Sequence, residues 1–482
     1  MALTAEEEKF LAEADAFIDE RWEDIVSDIA ALVAVPSVVD WSAATPESPS
    51  GPAAHDGLRA AVELARKLGF SAHDDAGEIG WADLPGASDT QLALICHADV
   101  VVPGVGWTGD PWTMRRKDGF LLGRGVLDDK GPLVLSLYCM RFFAERAQAA
   151  GAPLPYSIRM LMGTNEETGT MRDVRHYLAT QPAPAFLFTP DAEFSVCYGE
   201  KGQFDAAFTS EKFEGGAIVD FTTGDAAKNA VPSQATLIVR ADAAALPAAE
   251  GFAIESAGDG LARIVATGRG GHASLPEGTV NAIDMICRYA LDEGLCTEPE
   301  QKFLRMARRI MASTDGSSIG IDSRDEYFDP LTCIAGTIHF KEGRLRLTID
   351  VRYPTSTNPE AMLAALAPVA AEGNATVECT QSMPPFLTKP DTAPIRALVD
   401  SYHDATGLDG EPFTIGGGTY AREFPRAASF GPSDPHDEWP AWVGPMHGAD
   451  EGVSEESLKR AMRTYLLAIK RLMEIDLAAL ED

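Results

Sequence analysis

Apolar residues recur at helical spacing through residues 4–34, where Phe10, Leu11, Ala14, Phe17, Ile18 and Trp22 share one face until Pro36 ends the pattern. The stretch G-L-R-A-A-V-E-L-A-R-K-L at 57–68 predicts a second amphipathic helix, closed by Gly69. The texture then changes to short apolar runs, Q-L-A-L-I-C at 91–96, S-I-R-M-L-M at 157–162 and A-F-L-F-T at 185–189, each of which predicts a strand. A helix over about 132–149 separates the first two. Strands alternating with helices predict an α/β fold, a mainly parallel sheet flanked by helices. From about residue 200 strand-like segments (203–209, 235–241, 262–267, 345–353) are separated by turns, with helical patterns at 279–293 and 300–313 among them. This predicts an inserted α+β unit. The Ala-rich stretch 241–250 reads as a loop or short helix, helical patterning returns after 390, and a last helix is predicted over 454–476.

Length and composition narrow the picture. A chain of 482 residues exceeds one ordinary core and predicts two or three domains. At 45% hydrophobic and 23% charged it has a globular composition. The net charge of −33 repels nucleic acid and anionic membrane, so neither is an expected partner. No apolar run approaches the ~20 residues of a membrane span, and M-A-L-T-A-E-E-E-K-F has no secretory h-region. The seven cysteines are scattered without a C-x-x-C pair, as expected of buried thiols in a reducing compartment. A cytoplasmic protein is expected.

The candidate chemistry lies where the strands end. His97 and Asp99 follow the first run, Glu166 and Glu167 the second, and Asp191 and Glu193 the third. In open α/β sheets, ligands bind at the carboxyl ends of strands. In H-A-D, residues i and i+2 share a face, so His97 and Asp99 point the same way. Taken alone, each motif has a structural reading. H-A-D could be a hydrogen-bonded pair, the Asp128 run G-R-G-V-L-D-D-K-G-P an N-cap before a helix starting at Pro132, and T-P-D-A-E a solvated turn. His447, in P-M-H-G-A-D-E, could be an exposed loop residue. Together they supply two imidazoles and several carboxylates without thiolate, a set suited to one or two zinc, manganese or cobalt ions. Glu166 and Glu167 are adjacent, and in an extended segment they would point to opposite faces and do two jobs.

The motifs G-R-G-V-L-D-D-K-G-P, P-D-A-E-F, G-R-G-G-H-A-S-L-P-E-G and G-G-G-T-Y-A-R are specific in combination. With them the chain resembles, over nearly its whole length, the di-zinc metallopeptidase family of carboxypeptidase G2, aminoacylase-1 and acetylornithine deacetylase. Within it the peptidase V-type (Xaa-His, β-Ala-Xaa) dipeptidases are most similar. The resemblance implies a zinc-exopeptidase-type catalytic domain formed by 1–198 and 385–482, with an inserted lid at 199–384. It implies two divalent ions, zinc first, with manganese or cobalt as alternatives. One ion would be held by His97 and Asp191, the other by Glu167 and His447, with Asp128 bridging and the Asp128–Asp129 peptide cis. Asp99 would orient His97, and Glu166 would be the general base and then acid. In the lid, His272 would polarise the scissile carbonyl. Arg352, Asn229 and the Gly416-Gly417-Gly418-Thr419 run would bind substrate, the arginine and the glycines at its terminal carboxylate. His436, in S-D-P-H-D-E-W, competes with His447 for the last ligand position, and the H-x-x-D-E context favours His447. The implied activity is hydrolysis of dipeptides by a monomer. An N-acyl-amino-acid amidohydrolase of the same chemistry, or a non-catalytic metal-dependent peptide-binding protein, are the alternatives.

Overall fold

Thr4 opens the first helix, Ala5–Val33, with a capping box in which the Glu7 carboxylate accepts from the Thr4 N–H at 2.8 Å. The computed structural model describes residues 3–480. Met1, Ala2, Glu481 and Asp482, the outermost residues of the expected catalytic domain, lie outside the described residues. The apolar face of this helix packs on the helix Lys130–Ala150, where Phe10 meets Phe142 edge-to-face at 5.4 Å. Each large apolar side chain buried in this way contributes about 1.5–3 kcal/mol of transfer free energy. Lys130–Ala150 starts two residues before the expected Pro132. Proline is tolerated there because first-turn N–H groups have no partner within the helix.

The sheet beneath these helices is parallel at its centre and antiparallel at its edges. Ser157–Gly163, Gln91–His97, Phe186–Thr189 and Ala427–Ser429 run side by side in parallel. Ile79–Leu84 and Ser71–Asp75 extend one edge, and Cys197–Glu200 pairs on the other, all antiparallel. Leu92 lies opposite both Ile158 and Phe186; in this register Gly163 falls level with His97, and Phe186–Thr189 stops two residues short of it.

The chain divides into two units, Met1–Gly199 with Leu387–Phe413 and Gly418–Asp482, and Glu200–Phe386 with Thr414–Gly417. The short piece 414–417 joins the second unit: Thr414 Oγ1 donates to the Tyr327 carbonyl at 3.0 Å, and Ile415 accepts from Lys201 N at 2.9 Å. That unit is an eight-stranded antiparallel sheet packed with the helices Ala282–Asp292, Glu298–Ile310 and Pro359–Glu372. Its core includes Phe204, Phe208, Ile264, Ile286, Leu304 and Leu347. Among the described residues no helix is long and apolar enough to cross a membrane. Cys379 is exposed and the other cysteines are buried.

Candidate metal centre

The parallel register delivers the predicted residues of the first unit to one place. His97 is the last residue of its strand and pairs with Gly163, after which the neighbouring strand turns into Glu166–Thr168. Gly163 must be glycine, because a Cβ there would run into the Tyr420 ring. Tyr420 Oη in turn donates to the buried Asp173, whose carboxylate also accepts from Thr164 N at 2.7 Å and Asn165 N at 3.2 Å. Asp173 and Tyr420 thus fix the turn that carries the two glutamates. Asp191 lies two residues beyond Phe186–Thr189.

Asp128 sits between two imidazoles. Its Oδ1 is 3.0 Å from His97 Nε2, and its Oδ2 is 2.8 Å from His447 Nε2. On the His97 side Asp191 Oδ2 approaches Nε2 to 3.8 Å, and on the His447 side Glu167 Oε2 lies 3.0 Å from Nε2. The Asp128–Asp129 peptide is cis. Donor atoms of His97, Asp128 and Glu167 all fall within 4.8 Å of one another, as do those of His97, Glu166 and Asp191. The two glutamates therefore address different clusters that share His97. The reason differs from the sequence expectation. Glu166–Thr168 is a 3₁₀ turn, with about 120° per residue, rather than an extended segment.

Asp99 makes other contacts than expected. His97 Nδ1 bonds to the Asp99 main-chain carbonyl at 2.9 Å, while the Asp99 carboxylate stands 3.6 Å away and instead accepts from Glu167 N at 3.2 Å. With Nδ1–H donated to that carbonyl, Nε2 is the nitrogen aimed at Asp128 and Asp191.

The electrostatics are those of a site built for cations. Burial pushes the Glu166 and Asp191 carboxyls well above their ordinary range, and the charges of Asp191 on Glu166 and of Asp128 on Asp191 add to this. Burial also lifts Asp99 to about 7. Burial alone would pull the fully buried His97 down, but Asp128, Asp99 and Asp191 hold it well above the imidazole value. Hydrogen bonds to Asp128 and Glu167 raise His447 to about 10. Asp128 runs the other way: despite burial, the two imidazoles hold its carboxyl below the usual range. Buried carboxylates crowded in this way, with Asp99 Oδ1 and Asp129 Oδ1 unpartnered, are relieved by positive charge. The donors are imidazole nitrogen and carboxylate oxygen, so the residues present fit one or two divalent ions such as zinc, manganese or cobalt.

His436 is not part of this cluster; its Nδ1 meets Asp434 Oδ1 at 3.0 Å. Glu193 is exposed.

The remaining predicted residues belong to the second unit, except Gly418 and Thr419. His272 pairs with Ala230 on a two-stranded ribbon, and Asn229, one residue before, accepts from Ala273 N at 2.9 Å. His272 Nδ1 lies 2.7 Å from Ser274 Oγ, and partial burial with the Arg352 charge lowers its pKa, so the ring is neutral at pH 7. Arg352 is buried, and Asp350 takes its Nε and Nη2 edge at 2.7 and 2.8 Å. Its Nη1 donates to the Gly416 carbonyl at 3.2 Å, where Gly416 lies too close to Ser274 for a side chain. A Cβ on Gly417 would make only an ordinary contact with Ile415, at 3.8 Å, whereas Gly418 is crowded by the Arg422 guanidinium. Thr419 is buried and its hydroxyl caps Ala421 N at 3.1 Å.

Sequence reasoning missed Arg124, Asp173, Tyr420 and Glu451. Arg124 and Glu451 stood inside quoted motifs, G-R-G and H-x-x-D-E, but a pair 327 residues apart leaves no local signal.

The model of the peptidase family M20/M25/M40 matches residues 93–471. A Beta-Ala-Xaa dipeptidase of Lactobacillus delbrueckii subsp. lactis is 30% identical over 480 residues, covering 96% of this chain and 98% of its own. Among solved structures, the di-peptidase Dug1p of Saccharomyces cerevisiae superimposes with a TM-score of 0.59 at 12% identity, covering 97% of this chain and 99% of its own. The aminoacylhistidine dipeptidase of Vibrio alginolyticus gives 0.56 at 14% identity, covering 95% and 97%.

Proposed function

The chain belongs to peptidase family M20/M25/M40, and from that membership we propose that it is a metal-dependent dipeptidase acting on unblocked dipeptides. The observation that carries this reading is Asp128, whose two oxygens face His97 and His447 with Asp191 and Glu167 alongside. His97 and Asp191 would hold one divalent ion, His447 and Glu167 a second, and Asp128 would serve both. Zinc suits this donor set first, manganese or cobalt next. Such ions, when bound, supply Lewis acidity that polarises the scissile carbonyl and makes water more acidic.

The chain's own residues do the proton work. Glu166 accepts the proton of the attacking water and returns it to the leaving amine. Asp99 holds the Glu167 main chain and, through its carbonyl, the tautomer of His97. From the second unit, by resemblance, a neutral His272 donates to the developing oxyanion. Arg352 and the 416–419 segment would receive the substrate's C-terminal carboxylate, and Asn229 would contact substrate beside them. Asp350 occupies the Nε and Nη2 edge of the Arg352 fork and the Gly416 carbonyl accepts from Nη1, so a substrate carboxylate would share Nη1 with Gly416. The active form is proposed as a cytoplasmic monomer.

Ala-Ala and N-acetyl-alanine, each assayed after chelation and re-addition of zinc, manganese or cobalt, test the reading. Metal-restored cleavage of Ala-Ala supports it. Cleavage of the blocked compound alone points to an amidohydrolase, and no turnover by fully metallated protein points to a binding protein.

A further inference from the structure

We propose that the buried ion pair Arg124–Glu451 is the positioning element of the metal centre, cross-bracing the two loops that aim Asp128 and His447. This rests on reading those two residues as metal ligands.

Both members of the pair are fully buried. Glu451, four residues beyond His447, reaches into the other loop. Its Oε1 accepts from Gly125 N at 3.0 Å, Leu127 N at 3.2 Å and Asp128 N at 3.4 Å, and its main-chain carbonyl accepts from Gly123 N at 2.9 Å. Arg124, four residues before Asp128, reaches back. Its Nη1 pairs with Glu451 Oε2, while Nη2 donates to the carbonyls of His447 at 3.1 Å and Gly448 at 3.2 Å. Each loop is therefore held by a charge contributed from the other. The guanidinium also lies 5.3 Å from the Trp107 ring centroid, which ties in a third loop, that following His97.

Two further observations separate this from ordinary stabilisation. The His447 side chain is 52% exposed and its φ is +62°, a left-handed conformation that a non-glycine residue keeps only where its surroundings impose it. Asp128 and Glu167 meet Nε2 at 2.8 and 3.0 Å, but little packing surrounds the ring, so the point from which it reaches them is set by its main chain, which Arg124 grips. A buried ion pair is moreover a poor source of net stability, because desolvation offsets most of its attraction. What it supplies here is a fixed geometry between two loops distant in sequence.

The test compares wild type with Arg124→Lys, which keeps the charge and loses the fork, and Glu451→Gln, which keeps the acceptor oxygen and loses the charge. Arg159→Lys is the control; its partly buried pair with Asp83 (2.7 and 2.8 Å) touches neither loop. Zinc is removed by chelation, circular dichroism of the metal-free proteins is recorded, and zinc is titrated back with metal content measured by mass spectrometry. Wild type and the control are expected to take up two zinc ions. Arg124→Lys and Glu451→Gln are expected to keep the metal-free spectrum and to bind the second ion about 10–100-fold more weakly. Folded variants that bind both ions with wild-type affinity overturn the inference. So do an equal loss in Arg159→Lys and the unfolding of both metal-free variants, since each places the pair's role in general stability. Fewer than two ions in wild type itself would instead defeat the two-metal reading, and the inference would fall with it.

Discussion

The two sides of Asp128 use the same donors and are built in opposite ways. On one side His97 is fully buried at the end of a central strand, with its other nitrogen fixed by a main-chain carbonyl. On the other, His447 is half exposed on a loop, its ring meeting Asp128 and Glu167 and its main chain held by Arg124. A strand end inherits its precision from the sheet, whereas a loop must have precision built for it, and here Arg124 and Glu451 do that. The His97 side should therefore bind metal more tightly and lose it with damage to the fold. The His447 side should exchange metal more easily.

The largest effect is expected at Glu166, which shares the buried side with His97 and Asp191. Glu166→Gln should lower kcat on Ala-Ala by about 10²–10⁴-fold while zinc content stays at the wild-type level. Loss of zinc instead would make Glu166 a ligand and redraw the buried half. Next come the two histidines. His97→Ala leaves carboxylates buried without their imidazole, so loss of bound zinc should be accompanied by about 3–5 kcal/mol of destabilisation in denaturant titrations. His447→Ala should release one ion with a smaller loss of stability than His97→Ala, because its half-exposed ring leaves its carboxylate partners open to water. Equal damage from both would erase the contrast.

A smaller effect is expected from pH. His447, held at about 10 in the metal-free protein against an ordinary 6.5, must shed a proton to bind a cation, so zinc affinity on its side should fall as pH falls. Its raised pKa stabilises the metal-free fold fully below pH 6.5, and that contribution is lost as pH rises through about 10. Glu166 and Asp191, also raised, act in the same direction. The thermal midpoint of chelated protein should therefore decline across that window, and a rise would contradict the charge balance. The smallest effect is expected at His436, whose ring pairs with Asp434 outside the cluster; His436→Ala should leave zinc content unchanged.

Legibility in the sequence divides along the same line as the two halves. His97, Glu166, Glu167 and Asp191 follow apolar runs that predict central strands, so their convergence could be read from periodicity alone. His447 follows no such run and was placed by its motif. The polar edge strand Ser71–Asp75 and the mostly exposed Ala375–Met383 were missed because neither carries an apolar signal. The divergence of Glu166 and Glu167 was anticipated for the wrong reason, since a 3₁₀ turn and not strand alternation separates them. Tyr420 was invisible for the same cause as Arg124 and Glu451: its hydroxyl works on Asp173, a segment far away in sequence.

The most direct test is an anomalous-scattering map at the zinc edge from crystals grown with zinc. It should show two peaks, one beside His97 and Asp191 and one beside His447 and Glu167, with Asp128 touching both and Glu166 touching neither. A single peak, or a peak ligated by Glu166 in place of Asp191, would contradict the account.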